Sequence, residues 1–323
     1  QINPEDPEVH CALGYFYYMC KLDYEQALKY FAIGLEKQPK NTAILEGIAY
    51  VKRRQGKMDE TVSNLKLAAE LDPRSSLIIF NLGETYALLR NYQEAERCYD
   101  RAIFLNPEYT RAYSWKTRLF INQGDTKKAR QVLEEASRAL STIDPHLIIY
   151  HWVLVDIFEG KYDEALKLLN SVSLEAFSDG FYFVSKHSLF AQIYGLMNNP
   201  KMEKSHYESS AKFLEEKIKE DPQDSRYYSA LGKAYAGLGR KKEAINTAEK
   251  ATEILPISKE AYRGALRATE LAQVYTMVGE YDKAFDLIEY LLSIPGEISV
   301  ALLRIDPFWA PLRSLPRFQK LAH

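Results

Sequence analysis

The residues of this 323-residue chain that could do chemistry do not sit at the spacings a reaction centre needs. His146 and His151 are five apart, which on a helix points them to different faces, so a shared metal ion is not expected. No Cys-x-x-Cys, His-Glu-x-x-His or Gly-x-Ser-x-Gly occurs. Gly232-Lys233 and Gly237-Leu238-Gly239-Arg240-Lys241 have the look of a phosphate loop, but Leu238 stands where the phosphate-binding lysine is required. Glu134-Glu135 and Glu215-Glu216 read as solvated helix faces. Cys11 and Cys20 would lie about 13 Å apart along one helix, too far for a disulfide. The expectation is a chain with no catalytic, cofactor or metal site. What remains is recognition by arginine, tryptophan and tyrosine, and that depends on the elements that present them.

Composition narrows those elements. A formal charge of −2 gives no general attraction to nucleic acid, and no run of about 18 uncharged apolar residues suggests membrane insertion. The period then speaks. Pro39, Pro73 and Pro107 are each 34 residues apart, as are Ala27, Thr61, Ala95 and Ala129. Pro222 and Pro256 repeat the step near the other end. Within a unit, Gly83, Ala95, Ala102 and Pro107 are spaced as Gly232, Ala244, Ala251 and Pro256 are. A residue without bulk at Gly83 or Gly232 lets a second helix approach. Gly56, Gly124, Gly160, Gly239 and Gly279 suit the left-handed turn that ends a first helix. Each proline ends a second helix, because the residue before it is pushed out of the α region.

This pattern resembles the tetratricopeptide repeat over essentially the whole chain. The resemblance implies an all-α fold, a right-handed superhelical solenoid of about eight helix pairs. The second-helix alanine positions are Ala27, Thr61, Ala95, Ala129, Ala165, Glu203, Ala244 and Ala284, with Glu203 the misfit. Steps lengthen after Ala129; residues 171–180 read as an inserted loop and 211–220 as an extended second helix. One extra residue stands between Gly14 and Tyr24. The solenoid is expected over residues 1–296, and residues 297–323 are expected to cap it. There Asp306-Pro307 starts a short helix, and Phe308, Trp309 and Phe318 cover the open face of the last pair. Asn3-Pro4 reads as the tail of a preceding repeat, so a longer parent protein is expected. The wording of 14–24 and 306–318 is similar to a bacterial subfamily fused behind protein-kinase, nucleotide-cyclase or winged-helix domains.

In this architecture the first helices line a concave surface. Reading by helix face puts Tyr50, Arg53 and Arg54 (with Glu46) there, then Asn81 (with Phe80 and Glu84). Arg111, Trp115 and Arg118 follow, then Tyr150 and His151 (with Phe158). Trp, Tyr and Arg often dominate binding energy, and arginine forks onto carboxylates. The expected partner is an extended protein or peptide segment in the concave groove, drawn by an excess of arginine over Glu46 and Glu84. Glu46 and Tyr50 stand where a chaperone-tail clamp would place Lys and Asn, which argues against such a tail. The competing reading is self-association, or a spacer for a fused output domain, with residues 15–19 as the contact patch. A cytoplasmic location is expected, with the periplasmic part of a membrane-anchored protein as the alternative.

Overall fold

A computed structural model describes residues 6–321. Asn3-Pro4, read above as the end of a preceding repeat, lies outside them. Eight helix pairs follow in order among the described residues. They are α1 (Pro7–Phe16) with α2 (Tyr24–Lys37), α3 (Thr42–Arg54) with α4 (Met58–Leu71), α5 (Ser76–Leu88) with α6 (Tyr92–Leu105) and α7 (Thr110–Asn122) with α8 (Thr126–Ala139). Then come α9 (Tyr150–Phe158) with α10 (Tyr162–Ser171), α11 (Lys186–Leu196) with α12 (Pro200–Glu220), α13 (Ser225–Gly237) with α14 (Lys241–Ile254) and α15 (Ala261–Met277) with α16 (Tyr281–Ser293). The fold is a helical solenoid.

The small residues do what their spacing requires. Ala27, Thr61, Ala95, Ala129, Ala165, Ala244 and Ala284 are all fully buried where second helix meets first. A Cβ on Gly83 would come within 2.9 Å of Cys98 Cβ and 3.0 Å of the Tyr99 ring, so only glycine allows that approach. In the sixth pair Glu203 is half-buried, and its carboxylate lies where a side chain at Gly195 would be, so that glycine makes its room. Helices α2, α4, α6, α12 and α14 each stop two residues before their proline.

Three local departures have physical causes. The extra residue after Gly14 is absorbed by a π-helical turn at Tyr17–Lys21, where each bond spans five residues instead of four. The expected inserted loop instead pairs as a hairpin, β1 (Ala176–Ser178) with β2 (Phe183–Ser185), in the register Phe177↔Val184. Its turn is fixed by Asp179, whose carboxylate accepts from the Phe181 and Tyr182 amides at 2.7 and 3.0 Å. The five predicted turn glycines all have φ between +72° and +79°, but the matching position of the third pair is Arg90, at φ +57°.

Arg90 belongs to a closure. The Nε, Nη1 and Nη2 groups of Arg90 donate to the carbonyls of Ile298, Ile294 and Leu291 at 3.2, 2.9 and 3.0 Å. The Gly296 amide donates to the Leu88 carbonyl at 2.9 Å, and the Ser299 hydroxyl to that of Asn122. Gly56 and Gly124, one period to either side of Arg90, abut Ala261 and Ala301. The same turn of pairs two, three and four therefore rests against the eighth pair and the segment after it. The array bends back on itself, and its concave side becomes an interior.

Beyond α16, the chain forms α17 (Val300–Ile305), a 3₁₀ turn (Pro307–Leu312) and α18 (Pro316–Leu321). Asp306 caps the 3₁₀ turn, accepting from the Phe308 amide at 3.0 Å. Trp309, Leu312 and Phe318 pack with Phe285 and Ile288 of α16. Phe308 does not join them; it faces the interior, under the ammonium of Lys233.

Candidate functional site

An outer and an inner cavity lie along the concave side, and eight of the nine residues expected to bind line one or the other. The outer cavity, of about 620 Å³, takes in Tyr50, Arg53, Arg54, Asn81 and Arg111. The inner one, of about 200 Å³, takes in Arg118, Tyr150 and His151. Phe181, at the tip of the β-hairpin, lines both. Trp115 stands edge-on between Phe80 and Phe181, with ring centroids 5.9 and 5.7 Å away.

The expectation of an open, arginine-rich groove needs correction, because the chain's own carboxylates satisfy most of those arginines. Arg53 is buried, ion-paired to Glu84 at 2.7 Å and hydrogen-bonded to the Asn81 side chain at 3.3 Å. Arg54 is buried too. Its Nε donates to the Tyr18 hydroxyl at 3.2 Å, its Nη1 lies 3.6 Å from Glu260, and its plane covers Phe181 and Tyr262. Arg118 pairs with Glu297, which also accepts from the Tyr262 hydroxyl at 2.9 Å. The two carboxylates from 260 and 297 reach these arginines only because the array closes.

Several other expected contacts are internal. Asn81 is buried, and its amide donates to the Tyr50 hydroxyl at 3.0 Å, which itself donates to Glu46 at 2.7 Å. Burial pushes the Glu46 carboxyl above its usual range, against the pull of that Tyr50 bond. Trp115 is 4% exposed and so offers no free face. His151 is 1% exposed, bonded through Nδ1 to the Leu147 carbonyl. Burial brings its pKa down to about 4, helped by Arg118 and opposed by the Leu147 bond, so the ring is neutral at pH 7. His146 points elsewhere, accepting from the Ser178 amide at 3.1 Å. Tyr150 stacks on Tyr182 at 4.6 Å.

Arg111 is different. It is exposed, it lies over the rings of Trp115 and Phe80 at 4.9 and 5.6 Å, and none of the ion pairs among the described residues includes it. Around it the outer cavity presents Tyr15, Tyr18, Leu77 and Phe80. The hairpin tip (Asp179 and Phe181) and Arg263 complete the wall. These were not legible as site residues, because they come from an insertion and from the far end of the array. The one available signal was the lengthened step after Ala129. Both π-helical turns, Tyr17–Lys21 and Pro145–Ile149, also border this cavity, through Tyr18, Met19, His146 and Leu147. Such turns recur at functional sites.

Residues 77–109 and 225–256 each match the family model of the tetratricopeptide repeat. These two segments are tetratricopeptide repeats. They are the third and seventh helix pairs, and both carry the glycine–alanine–alanine–proline spacing described above. The repeat acts as a protein–protein interaction module. A tetratricopeptide repeat-containing protein of Caenorhabditis elegans, trd-1, is 24% identical over 166 residues, 51% of this chain and 20% of its own length. Hsp70-Hsp90 organizing protein 3 of Arabidopsis thaliana is 24% identical over 243 residues, 74% of this chain and 39% of its own length. The chain thus spans well under half of these curated relatives. Among solved structures, Pseudomonas aeruginosa pilF shares the fold with a TM-score of 0.53 at 15% identity, over 64% of this chain and 91% of that one. Among the described residues no helix is long and apolar enough to cross a membrane.

Proposed function

We propose that the chain is a docking module that receives a protein segment at the mouth of the outer cavity, as part of a larger bacterial signalling or regulatory protein. The observation that carries this reading is Arg111, a cation with aromatic support and no ion pair among the described residues, at the edge of an aromatic-walled cavity. A partner residue with a carboxylate beside an apolar side chain fits it. The apolar group would enter between Tyr18, Leu77 and Phe80, while the carboxylate meets the guanidinium. Stacking on Trp115 holds the Arg111 fork in place, so less side-chain freedom is lost on binding.

A second reading is self-association, supported by the first pair. Phe16, Met19 and Leu22 are 44%, 67% and 39% exposed around the π-helical turn. Sedimentation over a wide concentration range tests it: dimers that vanish in Met19→Glu would make this patch a subunit contact.

Docking is tested by selecting from a random peptide library on the immobilised chain. Wild type should enrich peptides with Asp, Glu or a free C-terminal carboxylate next to a large apolar residue. Arg111→Glu, with an unchanged melting midpoint, should lose that acidic preference. Binding should also weaken with salt, since exposed charges are screened within about 8–10 Å. The same enrichment in both proteins, or none in either, would remove Arg111 from the site and the docking proposal with it.

A further inference from the structure

The inner cavity has a chemistry of its own. Behind Phe181 it is walled by helices of pairs four to eight and closed by contacts across the array. Arg267 Nη2 donates to the Phe181 carbonyl at 2.6 Å, and Arg118 meets Glu297. Its volume, about 200 Å³, is below the roughly 300–1,000 Å³ of sites for drug-sized ligands, so it suits one small molecule.

Three features define what that molecule would be. First, the side-chain amides of Asn122, Gln192 and Gln273 line the cavity without a hydrogen bond to any other described residue. With no protein partner among the described residues, these amides are free to donate to and accept from an occupant. Secondly, the charges in the wall cancel. Arg118 is matched by Glu297, and Glu270 is shared by Arg267 at 3.0 Å and Lys233 at 3.5 Å, with Asp306 as the third carboxylate. An anion would face three carboxylates and a cation three basic groups, so neither charge finds a net attraction there. Thirdly, aromatic rings of Tyr150, Tyr182 and Phe308 supply apolar surface beside these polar groups. Water could satisfy the amides and gain nothing from the rings.

We propose that the inner cavity binds one neutral polyhydroxylated molecule of about the size of a sugar ring. Its hydroxyls donate to Glu270 and Asp306 and accept from Lys233 and the amides. Its C–H faces lie against the aromatic wall. This site is separate from Arg111 and the outer cavity, so neither proposal depends on the other.

The test uses the full 323-residue chain. Melting midpoint and calorimetric binding are followed with neutral hexoses, pentoses, inositol and disaccharides, then with glucuronate, glucosamine and free amino acids. At least one neutral compound should raise the midpoint by a few degrees when present at about 100 times its Kd. Gln192→Leu and Gln273→Leu, on different helices, should each weaken that binding about tenfold while far-ultraviolet circular dichroism stays unchanged. The two variants are independent, so misfolding of one leaves the other to decide. The proposal is overturned if no neutral compound shifts the midpoint. It is equally overturned if the shift survives in the folded variants, or if a charged compound binds more tightly than every neutral one.

Discussion

Arg90 Nε donates to the carbonyl of Ile298 at 3.2 Å, linking the turn of the third helix pair to a position 208 residues further along the chain. The neighbouring repeats have glycine at this turn, and a non-glycine residue in the left-handed region costs roughly 1–2 kcal/mol. Arg90 occupies it anyway, and its guanidinium holds three carbonyls of the 291–298 segment.

Arg90→Gly therefore separates the turn from the closure. Glycine restores the local repeat pattern and relieves the left-handed strain, so helix content should not fall. The lost hydrogen bonds should accelerate hydrogen exchange at the Gly296 amide and across 291–299, and X-ray scattering should show a larger radius of gyration. Wild-type exchange and radius in the variant would mean that the other contacts hold the array closed without Arg90.

Two buried groups give the closed form an opposed response to pH. Burial lifts the Asp306 carboxyl to about 6, against the Phe308 amide and Lys233. The fold favours its neutral form, so its stabilising contribution is complete below about pH 4 and is lost as pH rises through 6. His151, brought down to about 4, does the reverse: its contribution is complete above about 6.5 and is lost as pH falls through 4. Each shift corresponds to something on the order of 3 kcal/mol. Asp306→Asn keeps an N-cap acceptor and removes the charge, so it should be more stable than wild type at pH 7 and lose the advantage near pH 4. His151→Asn should lose less stability on acidification than wild type. Denaturant midpoints at pH 4.5 and 7 decide, with superimposable profiles for all three proteins as the contrary result.

The Arg118–Glu297 pair spans the closure, with side chains only 21% and 12% exposed. Removing one partner strands the other: Glu297→Gln should cost about 3–5 kcal/mol. Replacing both, Arg118→Met with Glu297→Leu, should recover most of that loss, because a packed apolar pair escapes the desolvation of two charges. A double-mutant cycle by chemical denaturation measures the difference. Simple additivity of the two single losses would show that the pair is not coupled.

How much of this was readable in advance divides along sequence distance. The solenoid was legible because each constraint is local and repeated. Ala95 must be small wherever Gly83 lets the helices touch, and Pro107 must stop its helix whatever lies beyond. Residues 14–24 carried their extra residue openly, and a π-helical turn is how a helix absorbs one. The site was legible only in part: helix faces placed Arg53, Arg54 and Arg118 on the concave side. Their partners at Glu84, Glu260 and Glu297 decide whether they are free. Two of those three come from the opposite end of the array, and no short-range pattern announces that its ends meet. The hairpin was missed because three-residue strands leave almost no alternation to read.

Trp115 and Arg111 lie one turn apart on α7 and are in contact, yet they should respond to substitution in opposite ways. Helix-face reading of the sequence expects both on the groove. The structure makes Trp115 part of the core, wedged between Phe80 and Phe181. Trp115→Ala would leave a large void between the two cavities and should cost about 3–5 kcal/mol. Phe181 and the hairpin it tips would lose their support, with faster hydrogen exchange across 176–185. Arg111→Ala removes an exposed cation whose stacking contributes about 0.5–1 kcal/mol, so the melting midpoint should barely move. Guanidinium denaturation of the two single variants makes the comparison without any ligand. A Trp115→Ala protein as stable as Arg111→Ala would mean that Trp115 is not packed between those rings, and would return it to the list of residues free to bind.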